Sequence, residues 1–218
     1  MKEESFAKWC GTQQIMIVGV GGFGCKVAAR MHENKYVDVA TLACDTDLQD
    51  LESVEVPNRL LLEKKCANLV WRIIDKSIDF MTTISDNTDE PSRPTFNVEP
   101  IRKMFTPAIT NVIVVAGMGG VCGTNAAAQI AREAQAAGKR TAAVVALPFR
   151  FEGSKRMRQA LNGLSKLAPH VCELHVLNTH DLIDGNVPAG KAFSLAEALM
   201  CEAVVTMDTY TWIPSVEH

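Results

Sequence analysis

The sequence predicts an α/β fold, a mainly parallel sheet with helices on both faces. Short apolar, β-branched runs alternate with longer segments of helical spacing along most of the 218 residues. Two glycine-rich turns, GVGGFG at residues 19–24 and GMGGVCGTN at 117–125, each follow a strand-like run and open a helical one. No internal repeat or low-complexity tract breaks the alternation. This is the pattern of βαβ units, whose crossovers cover the sheet with helices and whose ligand sites lie beyond the carboxyl ends of the strands.

Taken in order, a polar leader at 1–13 precedes the apolar run 14–20, a buried parallel strand feeding the first glycine turn. Residues 25–33 carry Ala and Met at helical spacing, and 37–43 turn apolar and β-branched again before Asp45, which completes a β-α-β unit. Residues 59–62 read as a strand and 67–80 as a helix, with Leu69, Ile73, Ile74 and Ile78 near one face. The polar stretch 85–97 holds two prolines and reads as a surface loop before a short helix at 98–105. Strand-like runs at 111–116, 141–147 and 174–177 are separated by helical stretches at 124–137 and 153–167. A last helix at 194–208 leads to a tail at 209–218. The length suits one sizeable core, so residues 1–218 are expected to form a single domain.

Composition removes several function classes. Hydrophobic residues make up 47% and charged residues 22%, the balance of a folded globular chain rather than a disordered one. With a net charge of −3 and no basic run, the chain lacks the electrostatic footprint of a nucleic-acid binder. The leader has no apolar secretory core, and no stretch of about 20 apolar residues spans a membrane, so the expected location is the cytoplasm. The seven cysteines form no C-x-x-C pair, which signals neither a zinc site nor a disulfide framework. Cys25 and Cys122, inside the glycine turns, read as small residues tolerated close to backbone. His170, His175 and His180 recur at intervals of five, unsuited to a metal pair on one helix face, and read as structural. Neither Ser154 nor Cys122 has the context of a nucleophile elbow. No catalytic residue and no metal ligand is therefore assigned.

The glycine turns carry the chemistry. Gly19–Gly24 satisfies G-x-G-x-x-G in the strand-to-helix context that a phosphate-binding turn needs. Glycines let backbone approach a pyrophosphate, and the amides and dipole of the helix N-terminus stabilise its charge. A single dinucleotide turn leaves the second turn unexplained. Placed at two strand ends of one sheet, the pair can hold one polyphosphate from both sides through main-chain N–H groups and the Thr124 hydroxyl.

At this point the chain resembles the FtsZ/tubulin family, in four segments that cover most of its length. GVGGFG is similar to the family's first phosphate loop, and Asp45-Thr-Asp-Leu-Gln49 to its N-T-D-x-Q segment. AGMGGVCGT at 116–124 is similar to its A-G-M-G-G-G-T-G-T signature, and PFRFEGSKR at 148–156 to its P-F-x-F-E-G-x-x-R stretch. The resemblance implies a Rossmann-like sheet of the tubulin/FtsZ nucleotide-binding type. It implies GTP or GDP as ligand, with room for Mg2+ beside the phosphates, and a role in cell division. Gly21, Gly22, Gly119, Gly120, Gly123 and Thr124 would contact phosphate, Glu152 and Arg156 the ribose, and Asn178 or Thr179 the base. Self-association, or association with an FtsZ-family protein, would follow.

The departures are as specific. Val121, Cys122 and Asn125 replace the signature's Gly, Thr and Gly, adding bulk and removing a hydroxyl. Lys26, beside the first loop, reads as a solvated helix-face lysine. Between Leu62 and Asn111 no equivalent of the family's Gly-Ala-Gly loop is found, and Leu199 and Val204 fall where the family has a stacking Phe and a guanine-reading Asp. The 218 residues contain no match to the acidic loop G-x-N-x-D-x-A-D that serves hydrolysis in the next subunit. The expected activity is guanine-nucleotide binding with weak or no assembly-dependent GTP hydrolysis. A nucleotide-free FtsZ-like interaction or regulatory protein is the alternative. An NAD(P)-binding Rossmann protein, read from Gly19–Gly24 and Asp45, is the second alternative.

Overall fold

The structure, a computed structural model, describes residues 15–34, 39–63, 95–182 and 188–211. The strands are β1 (Ile15–Val20), β2 (Ala40–Asp45), β3 (Asn58–Leu61), β4 (Asn111–Gly117), β5 (Arg140–Ala146) and β6 (Glu173–Leu177). The helices are α1 (Gly21–Glu33), α2 (Leu48–Glu52), α3 (Glu99–Arg102), α4 (Val121–Ala136), α5 (Ser154–Leu167) and α6 (Ala189–Thr211). All strand pairs are parallel, in the order β3-β2-β1-β4-β5-β6. The expected helix at 67–80 and most of the expected loop at 85–97 lie outside the described residues.

Continuous apolar runs make the central strands because both of their faces are covered. Alternate residues serve two separate cores. Met16, Val18, Val112, Val114, Ala143 and Val145 pack beneath α4 and α5, with Ile130 and Leu167 from those helices. Ile17, Ile113, Val115, Ala142 and Val144 pack on the opposite face against Val27 and Met31 of α1 and Met200 and Val204 of α6. The two periods, 2 in the strands and 3.6 in the helices, are thus satisfied together.

Strand order reverses between β1 and β4: the chain runs outward through β2 and β3, then returns to the other side of β1. The crevice at such a switch point is where open parallel sheets bind ligands. The two glycine turns follow the two strands that flank it.

Three helix starts differ by three residues or more. α1 and α4 begin at Gly21 and Val121, ahead of the expected residues 25 and 124, so the glycines are themselves part of the first helical turns. α6 begins at Ala189, ahead of 194. Glycine depresses helix propensity, which hides these starts in the sequence, while packing on the sheet stabilises them. Gly24 shows why: a Cβ there would overlap the Val115 carbonyl oxygen, so its absence lets α1 lie down on β4.

Candidate functional site

The first glycine turn enters α1 from Val20 in extended conformation, with Gly21 at φ 74°. The second enters α4 through Gly119 at φ 96° and Gly120 as N-cap, without a side-chain cap on either helix. Both helices therefore begin with main-chain N–H groups that no capping side chain takes up. The turns touch. A Cβ built on Gly21 would lie 3.0 Å from the Gly123 nitrogen and 3.8 Å from the Cys122 Cβ. Two helix N-termini, each positive, thus converge on one space.

That space is a cavity of about 410 Å³ beyond the carboxyl ends of the strands. Gly21, Gly22, Gly120, Val121, Cys122 and Gly123, from the two glycine turns, contribute to its lining. Asp45, Thr46, Asp47 and Asp50 line a second side. Pro148, Phe149, Glu152, Arg156, Thr179 and Phe193 contribute to the rest. Val121 is 53% exposed, and a Cβ added to Gly120 would meet nothing within 4 Å, so side chains do not plug the second turn.

Of the residues expected at phosphate, four line the cavity and two brace it. Thr124 is buried, and its hydroxyl oxygen accepts from the Gly119 N–H at 2.8 Å. Gly119 itself packs on Pro148 and Arg156. Neither Gly119 nor Thr124 lines the cavity: their polar groups close the turn on itself and hold the shape of the loop. Glu152 and Arg156 do share the wall, as an i, i+4 pair with Arg156 Nη1 donating to Glu152 Oε2. Glu152 Oε1 also accepts from the Phe149 N–H at 2.9 Å, so this carboxylate fixes the β5-α5 connection as well as facing the cavity. The two residues expected at the base are placed differently. Thr179 is buried in the lining, with its hydroxyl donating to Leu147 O at 3.1 Å, whereas Asn178 is exposed and outside it.

Leu199 and Val204 do not meet the cavity, and Val204 is buried in the core under α6. The residue of α6 that does is Phe193, which sequence reasoning missed because the expected helix starts one residue too late to include it. Its ring meets Phe149 edge-on at 4.8 Å and lies 6.5 Å from Phe23. Lys26 is exposed on α1 and does not line the cavity.

Asp45, at the end of β2, is 3% exposed. Its Oδ1 accepts from the N–H groups of Thr46 at 2.5 Å and Asp47 at 3.3 Å, while Oδ2 has no hydrogen-bond partner among the described residues. Burial is the main cause that raises its carboxyl above the ordinary range, opposed by the two backbone donors and, more weakly, by the Cys122 thiol. Burial likewise pushes the Cys122 thiol up to about 12 and keeps it a neutral, weak donor. Among the described residues no group of three His, Cys, Asp or Glu side chains is placed to hold a metal. No described helix is long and apolar enough to cross a membrane.

Comparison with known proteins agrees with this geometry. The family model described as "Tubulin/FtsZ family, GTPase domain" matches residues 14–185. The cell division protein FtsZ of Porphyromonas gingivalis is 32% identical over 87% of this chain and 40% of its own length. That of Aquifex aeolicus is 29% identical over 98% of this chain and 55% of its own length. The chain thus spans about half the length of the curated relatives it matches. A solved FtsZ from M. jannaschii superposes with a TM-score of 0.70 at 27% identity, over 93% of this chain and 58% of that one. The GDP-bound monomer of CetZ1 from Haloferax volcanii, at 17% identity and a TM-score of 0.63 over 89% of this chain and 58% of that one, shares the fold. With its parallel six-stranded sheet, its paired glycine turns and the family match over most of its length, the chain belongs to the Tubulin/FtsZ family and corresponds to its GTPase domain.

Proposed function

We propose that these residues bind a guanine nucleotide, GTP or GDP, with its phosphates between the two glycine turns. The observation that carries the reading is the approach of Gly21 to Gly123, which brings two uncapped helix N-termini to one cavity. Gly21, Gly22, Gly120 and Gly123 supply the anion-binding wall, with Gly119 and Thr124 holding the second turn in shape. Glu152 and Arg156 face the ribose, and Phe193 with Thr179 faces the base. Mg2+ accompanies the phosphates as a counter-charge. Association with a second copy or with an FtsZ-family protein is part of the same proposal.

Turnover by the 218 residues alone is proposed to be slow. They contain no match to the acidic loop through which the family aims a carboxylate at water, and general-base assistance is worth about 10²–10⁴-fold. The NAD(P) reading uses only the first turn and leaves the second without a role.

Titration of the chain with fluorescent GDP, with GTP, ATP and NAD as competitors, tests the proposal. Binding near micromolar affinity, displaced by GTP and not by NAD, is the expected result, equivalent to about 8 kcal/mol. Flat titrations with guanine nucleotides would favour a nucleotide-free interaction protein instead.

A further inference from the structure

One buried polar group in the cavity is not used by the proposed binding. Asp45 stands at the end of β2, in the lining that also contains Gly21, Cys122 and Gly123. One carboxylate oxygen is held by the Thr46 and Asp47 amides; the other is sequestered from water with no partner among the described residues. Hydrogen-bonded buried polar groups are the rule, and a lone carboxylate oxygen is an exception that asks for a cause.

We propose that Asp45 is a charge filter for the ligand: the phosphate chain is admitted with one proton taken from solvent onto the unpartnered Asp45 oxygen. This inference rests on the nucleotide reading above. Its physical basis is that an anion drawn in by the two helix N-termini meets a second anion in the same poorly hydrated space, where water screens little. Neutralising the carboxyl removes that repulsion.

The titratable groups beside Asp45 are three thiols and two further carboxylates. Cys25 on α1, Cys44 on β2 and Cys122 on α4 are the thiols beside it; burial holds all three neutral, and only the Cys122 thiol acts on the carboxyl as a weak hydrogen-bond donor. Asp50 on α2 adds a like charge, which opposes ionisation of Asp45 further. The Asp47 carboxylate is occupied locally, capping α2 by accepting from the Gln49 N–H at 2.8 Å.

The test is calorimetry of GDP binding, without metal, in two buffers of different ionisation enthalpy from about pH 5.5 to 8, on the wild type and on Asp45→Asn. The terminal phosphate of GDP titrates in the same window, so the variant supplies the background. The wild type is expected to take up more protons than the variant. Its affinity should fall up to about tenfold more steeply per pH unit where Asp45 titrates, and the variant should bind at least about tenfold more tightly at the alkaline end. A wild type that binds nothing while Asp45→Asn binds also supports the filter. Equal proton uptake and parallel pH profiles would overturn it and leave the nucleotide reading standing. So would a wild type brought to the variant's affinity by Mg2+ with no proton uptake, since the compensating charge is then a metal. Absence of binding in both proteins, with both folded, would overturn the nucleotide reading and the filter together.

Discussion

Single residues divide here into those that shape the cavity and those that only need to be small. Gly120 has open space where a Cβ would go, whereas a Cβ on Gly123 would overlap the Gly117 carbonyl oxygen. Gly123→Ala is therefore expected to cost about 1–3 kcal/mol in denaturant unfolding and Gly120→Ala well under about 1. Gly120→Asp is more informative. Aspartate is a favoured N-cap, so stability should change by only a few tenths of a kcal/mol, roughly, while its carboxylate takes the amides of α4 for itself. GDP binding should disappear from a fully folded protein, and unchanged affinity would refute the placement of that turn. Asp45 makes a pH-dependent prediction. Burial raises its folded-state pKa above the unfolded value, so stability falls as pH rises through that window. Asp45→Asn should melt higher than wild type at about pH 7 and lose the advantage on acidification to about pH 4. The glycine turns were legible because the reason for glycine, close approach, is written in the residue type. The Asp45 orphan and the inward turn of the Thr124 hydroxyl were not, since both depend on how the loops close in three dimensions.

At the level of elements, the site depends on how closely helices lie on strands and on each other. α5 crosses α4 at Gly163, where a Cβ would overlap the Thr124 methyl and reach within 2.8 Å of Met118. Gly163→Ala should lower stability by about 1–3 kcal/mol and, because Thr124 holds Gly119, loosen the second turn as well. A loss of stability with unaltered nucleotide affinity would show that α5 supports the fold without tuning the loop. On the far side α6 presents Phe193 to the cavity beside Phe149 and Phe23. Phe193→Ala is expected to weaken GDP binding about tenfold, in line with about 1–3 kcal/mol for a base stacked on an aromatic ring. Strand positions were legible because the apolar runs, each bounded by turn residues, fit nothing else. The start of α6 was not, because Ala189 and Gly190 carry no cap signal, and its register against the cavity was misplaced as a result.

For the whole molecule, strand order decides what the two turns can do. β1 and β4 are distant in sequence and adjacent in the sheet, so their following loops meet at the switch point. Alternation of strand and helix predicted a parallel sheet but not this adjacency, which depends on where the chain re-enters the sheet after β3. The resemblance in four segments supplied what periodicity could not. If the 218 residues act as proposed, GTP turnover should be slow and should not rise with protein concentration. A steep rise would mean that assembly completes a hydrolytic site from residues within this chain. The convergence of two helix N-termini on one anion is open to direct test by following the backbone amide resonances of Gly21, Gly22, Gly120 and Gly123 during a GDP titration. All four should shift together along a single binding curve; movement of one turn alone, or of neither, would contradict a shared phosphate site.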